Sequence, residues 1–98
     1  MAERLSVVMR EANDIILLVD RNGRIVESNE RARMVYGYSE EELRTMSVAD
    51  LRADRDRDQF LRNLERLLGG TDVRFEAVHR RKNGSVLFVE ASGRAIAI

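Results

Sequence analysis

The chain carries one histidine, His79, and no cysteine, so the list of side chains able to do chemistry is short. Without a thiol there is no disulfide, no thiolate nucleophile or thiolate metal site, and no cysteine-linked cofactor. Six serines are present, but none lies in a G-x-S-x-G elbow, and the glycines form no phosphate loop. Glu40-Glu41-Glu42 and Asp54, Asp56 and Asp58 are the carboxylate groupings with metal-like density. Adjacent helix positions do not converge on one ion, and the glycine and distal glutamate of a calcium loop are missing at their spacing. Both groups read instead as helix starts, where carboxylates face the positive end of the dipole. Arg80-Arg81-Lys82 falls in a hairpin turn and reads as a solvated turn rather than a phosphate contact. No enzyme is expected from these residues.

Composition narrows the classes further. Ninety-eight residues make one small domain, and 44% hydrophobic content allows one core. Seventeen basic and 17 acidic residues cancel, which argues against a nucleic-acid-binding module. No apolar run approaches the ~20 residues of a membrane helix, and nothing at the N-terminus resembles a signal peptide. A cytoplasmic setting is expected, with no membrane contact.

The elements that must position these residues follow from periodicity. Residues 1–12 form an N-terminal amphipathic helix, with Leu5, Val8, Met9 and Ala12 at helical spacing; residues 13–98 form the domain. Ile15 to Val19 is a strand apolar on both faces, one side toward the core and the other toward the N-terminal helix or a partner chain. Asp20-Arg21-Asn22-Gly23 is a type I turn followed by a left-handed glycine, and Arg24 to Ser28 is the returning strand. Two short helices come next. Asn29 caps the first, with Ala32, Val35 and Tyr36 at helical spacing, and Gly37 stops it. Ser39 and Glu42 form a capping box for the second. Ser47 to Asp50 starts another turn of helix. Asp54 to Leu68 is the longest helix, with Phe60, Leu61, Leu64, Leu67 and Leu68 as its buried stripe, ended by Gly69-Gly70.

Thr71 to Ala97 is a second hairpin. A two-residue Asn83-Gly84 turn would pair Phe75 with Ser92 and mix apolar with polar faces. A three-residue Lys82-Asn83-Gly84 loop pairs Phe75 with Ala91 and Ala77 with Val89, and keeps one face apolar. The second is expected, with Gly84 left-handed.

Hairpin, short helices, long helix, hairpin: in this order the chain resembles the PAS domain, a sensory module of signalling proteins. The resemblance covers Ala12 to Ile98. It is carried by Asp20-Arg21-Asn22-Gly23-Arg24-Ile25-Val26 with Asn29, by Tyr36-Gly37-Tyr38-Ser39-Glu40-Glu41-Glu42-Leu43, and by Phe75-Glu76 with Arg81-Lys82-Asn83-Gly84-Ser85. It implies an α+β fold, an antiparallel five-stranded sheet with short helices packed on one face. It also implies either a small molecule held between sheet and helices or a dimerisation role, upstream of a histidine kinase, cyclase or transcriptional effector. Ala53 stands where the family often has proline. The family's fifth strand, which lies between the first and fourth, is missing from the sequence as it runs to Ile98. A neighbouring chain or the N-terminal segment is expected to fill that gap, unless the chain is truncated.

Haem-binding relatives carry their ligand on the long helix, where this sequence has no histidine. His79, inward-facing on its strand, is therefore read first as a histidine at the sheet end, and second as a ligand or pH-sensitive contact. Cysteine-based flavin photochemistry is out, and the residues name no cofactor. Leu17, Val35, Leu43, Met46, Leu51, Leu64, Phe75, His79, Val89 and Ala91 are the candidate lining of a pocket between sheet and helices. Its ligand would be small and mostly apolar. The competing reading is a filled core and a ligand-free interaction scaffold. A homodimer is expected through Leu5, Val8 and Met9 and through the sheet, with Val86 and Phe88 on its outer face.

Overall fold

The computed structural model describes residues 14–53 and 57–93. The amphipathic helix expected in residues 1–12, with Leu5, Val8 and Met9, lies outside the described residues. So do Asp54 and Asp56 at the expected start of the long helix, and the strand end beyond Gly93.

Strand β1 (Leu17–Val19) pairs antiparallel with β2 (Ile25–Ser28). The expected turn is present. The Gly23 amide donates to the Asp20 carbonyl at 2.9 Å, and Gly23 sits at φ 84°. Asp20 Oδ1 accepts from the amides of Asn22 and Arg24, at 2.9 and 3.0 Å. The register shifts between Leu18 and Val19, so that Val19 faces Ile25 while Leu18 faces Glu27 and Val26 is the extra residue. The strand is shorter than the Ile15 to Val19 run because its start is held by a side chain. Asn29 Oδ1 accepts from the Ile16 amide at 3.0 Å, and Asn29 Nδ2 donates to the Asp14 carbonyl at 2.7 Å.

The same Asn29 Oδ1 accepts from the Ala32 amide at 2.9 Å and so caps α1 (Glu30–Tyr36). Gly37, at φ 81°, closes that helix with a bond from its amide to the Arg33 carbonyl. The Ser39/Glu42 capping box opens α2 (Glu40–Arg44). Ser47 and Asp50 form a second box on a 3-10 turn, Val48–Leu51. Helix α3 (Arg57–Leu68) ends at Gly70, φ 92°. Its half-buried stripe is Phe60, Leu64 and Leu67, at i, i+4, i+7. Leu61 and Leu68, expected in that stripe, are 56% and 57% exposed. One turn is 3.6 residues, so each lies about 100° around the axis from its neighbour in the stripe, too far to share the buried line.

Strands β3 (Val73–Arg80) and β4 (Val86–Gly93) pair as expected, Phe75 with Ala91 and Ala77 with Val89. Gly84 is left-handed at φ 92°. Val73, Ala77 and His79 are buried, while Arg74, Glu76 and Arg80 are exposed. Among the described residues the strands form two separate two-stranded sheets rather than one five-stranded sheet. The strand expected between β1 and β4 has no counterpart among them, and without it no ladder joins the two hairpins.

The hairpins are joined instead through the helical layer. Val48 donates to the Gly23 carbonyl at 2.9 Å, Ile25 to Met46 at 3.0 Å, Ala53 to Val78 at 2.8 Å, and Lys82 to Tyr36 at 2.9 Å. Phe60 packs its ring on Gly23, where any β-carbon would collide with it. At the other end of α3, Leu67 lies against Gly93. The core beneath is Ile25, Ala32, Tyr36, Leu43 and Leu51, flanked by Ile15, Leu17, Tyr38, Met46, Val48 and Leu87.

Candidate functional site

Gly37 stops α1 one residue after Tyr36, which leaves that side chain in the core at 2% exposure. The alternation of β3 turns His79 inward to meet it, and His79 is 6% exposed. Tyr36 Oη and His79 Nδ1 are 2.6 Å apart, and the rings are tilted by 35° with centroids 5.7 Å apart. Burial pushes the Tyr36 phenol up to about 12, so it is a neutral donor across the physiological range. With Tyr36 donating, His79 accepts at Nδ1. The inward-facing direction expected for His79 agrees with its burial, and the ring at this end of the sheet is bonded to Tyr36 of the core.

Arg52 adds a second buried polar group at 6% exposure. Its backbone bridges to His79, and its Nη2 donates to Gln59 Oε1 at 2.6 Å. On the adjoining turn of α3, Asn63 Nδ2 is buried without a partner among the described residues. Tyr36, His79, Arg52 and Gln59 thus link α1, β3 and α3 by polar contacts. The set contains no activated nucleophile and no converging carboxylates. It can hold a proton, bind a polar atom or register a shift of one element against another.

Two carboxylates of the Glu40-Glu41-Glu42 run are engaged elsewhere. Glu40 pairs with Arg44 at 2.8 Å, and Glu42 with Lys82 at 2.7 Å. The hydrogen bond from Lys82, with that from the Ser39 amide, holds the Glu42 carboxyl below the usual range. Among the described residues no three His, Asp or Glu side chains gather as a metal site would require.

The ten candidate lining residues do not form one wall. Leu43 and Leu51 are fully buried, and Leu17 and Met46 pack on them in one cluster. Leu64, Phe75, Val89 and Ala91 are half-buried and lie outside that cluster. Val35 lines an open concavity of about 340 Å³ with Met34, Gly37 and Arg81. Val89 lines another of about 500 Å³ with Glu76, Val78 and Phe88, on the β3–β4 hairpin. Tyr36 and Arg52 were not among the candidates. Nothing in their spacing marks them, because Tyr36 meets His79 across 43 residues.

Two antiparallel hairpins separated by short capped helices define a small α+β domain. Residues 25–97 match the family described as the PAS fold, and the chain belongs to that family. It is 34% identical over 79 residues to the sensor histidine kinase TmoS of Ectopseudomonas mendocina, a match that spans 79% of this chain and 8% of that protein's length. Among solved structures, a domain of a sensory box sensor histidine kinase/response regulator from Geobacter sulfurreducens superposes with a TM-score of 0.88. It has 24% identity and covers 97% of this chain and 83% of that one. The PAS domain of a LuxR-family transcriptional regulator from Burkholderia thailandensis, solved in complex with ethanol, gives 0.71 at 20% identity, with 93% and 81% coverage. The matched region is thus a PAS domain, a sensory domain of the kind found in histidine kinases. Among the described residues no helix is long and apolar enough to cross a membrane.

Proposed function

We propose that this chain relays a signal within a larger protein of the histidine-kinase type, through a homodimer built on the outer face of β3 and β4. Phe88 carries the reading. It is 84% exposed on a strand, with Val86 at 46% exposure on the same face and Val78 directly across the ladder. A large aromatic held in water at such a position is expected where a second surface covers it. The relevant test joins the chain to the dimerisation and catalytic regions of a histidine kinase. Phe88→Glu is expected to change autophosphorylation several-fold while the isolated variant still unfolds in one cooperative transition. Unchanged autophosphorylation would contradict the relay through this face.

A second reading is favoured by the Tyr36–His79 pair. A buried hydroxyl and imidazole can receive a small ligand with one polar atom, and a domain of the same fold is solved with ethanol. Native mass spectrometry of the purified chain separates the two. A stoichiometric small molecule lost in Tyr36→Phe supports sensing, and a bare chain supports the ligand-free scaffold.

A further inference from the structure

The sequence contains the same dipeptide, Asn-Gly, at the tips of both hairpins: Asn22-Gly23 and Asn83-Gly84. Asparagine before glycine is open to attack by its neighbour's backbone nitrogen, since glycine has no side chain to block the approach. The two turns share one backbone design, with each glycine left-handed at its fourth position. Their surroundings differ.

Gly23 is buried, with the Phe60 ring on its α-carbon and its carbonyl accepting from the Val48 amide at 2.9 Å. Gly84 is exposed and has nothing within 4 Å of the position a β-carbon would take. The side chains differ as well. Asn83 Oδ1 accepts from the Ser85 amide at 2.9 Å and from Ser85 Oγ at 2.6 Å. Asn22 shows no such bond at its side-chain oxygen among the described residues; only its amide is engaged, with Asp20 Oδ1. Two donors on one amide oxygen polarise that carbonyl and stabilise negative charge building on it, as an oxyanion hole does.

We infer that Asn83 is a site of spontaneous covalent modification, an intramolecular deamidation that Ser85 promotes and from which Asn22 is protected. The Gly84 amide gives its proton to solvent base, and its nitrogen attacks Asn83 Cγ. Charge collects on Oδ1 between the two Ser85 donors. The side-chain nitrogen takes a proton and leaves as ammonia, closing a succinimide. Water then adds at either imide carbonyl and breaks one C–N bond, leaving aspartate or isoaspartate. No oxidant or reductant is needed. The Gly84 amide must first release the Arg81 carbonyl, which it meets at 2.9 Å, and the open turn permits this. The new carboxylate stands beside Arg80, Arg81 and Lys82. The isoaspartate form also adds a methylene to the backbone between strands whose register this turn sets.

The test is incubation of the folded chain in mildly alkaline buffer, followed by peptide mapping with mass and isoaspartate detection. Asn83 is expected to convert, with the mass gain of amide-to-acid exchange, while Asn22 stays intact. Ser85→Ala is expected to slow conversion about five-fold, the effect of one exposed hydrogen bond on a rate. In urea the two sites are expected to convert at similar rates, which shows that the fold makes the difference. Conversion of Asn22 as fast as Asn83 in the folded chain would overturn the inference. So would a Ser85→Ala variant that folds and reacts as fast as the parent.

Discussion

Tyr36 and His79 show how a single contact ties residue chemistry to the fold. The phenol is fully enclosed, and its 2.6 Å bond to Nδ1 joins the end of α1 to β3. Tyr36→Phe keeps the ring and removes the donor, so it is expected to cost about 1–2 kcal/mol in urea unfolding at neutral pH. The pH dependence has a definite sign. The folded phenol is raised from 10.0 to about 12, so the folded state holds that proton more tightly than the unfolded chain. The corresponding stability is whole below pH 10 and is lost as the pH climbs toward 12. Unfolding free energies measured across that window should fall in the parent and fall less in Tyr36→Phe. Parallel curves would contradict the assignment. None of this was legible in the sequence beyond the inward direction of His79. Alternation gives a strand residue's face, but it does not say which side chain waits 43 positions away. Asn29 is a similar case. Its capping role was readable from local spacing, whereas its bonds to Asp14 and Ile16 depend on how the chain folds back.

At the scale of elements, the turns were the most readable parts, because each is set by local chemistry and checked by a long-range pattern. The three-residue loop at Lys82-Asn83-Gly84 followed from the alternation of both strands. A slip of one residue would have turned Phe75 or Ala91 to the wrong face. The α3 stripe was readable only in outline. Five apolar residues were assigned to a face that accommodates Phe60, Leu64 and Leu67, and Leu61 and Leu68 turn to solvent. The closeness of α3 to the first hairpin was not readable at all, since nothing in Asp20-Arg21-Asn22-Gly23 announces the Phe60 ring. That contact makes a prediction about two similar glycines. Gly23→Ala must bear both a left-handed backbone and a collision with Phe60, whereas Gly84→Ala bears only the first. The backbone term is about 1–2 kcal/mol for either. Chemical denaturation should therefore show the larger loss for Gly23→Ala, and the double variant Gly23→Ala/Phe60→Ala should recover part of the collision term. Equal losses would place Phe60 elsewhere.

At the scale of the whole molecule, the family was legible from the order of its motifs, and residues 25–97 match it. The sheet was expected to lack its fifth strand, and among the described residues it consists of two separate hairpin ladders. Two features then bear on function: a core closed around Ile25, Tyr36, Leu43 and Leu51, and an apolar outer strand face led by Phe88. The first fits the proposed relay by contact better than storage of a large ligand, and the second is the face on which that proposal rests. Light scattering of the purified chain and of Phe88→Glu tests this most directly. The parent is expected at twice the 11.3 kDa chain mass and the folded variant at 11.3 kDa. A parent that stays monomeric, or a variant that still dimerises, would contradict it.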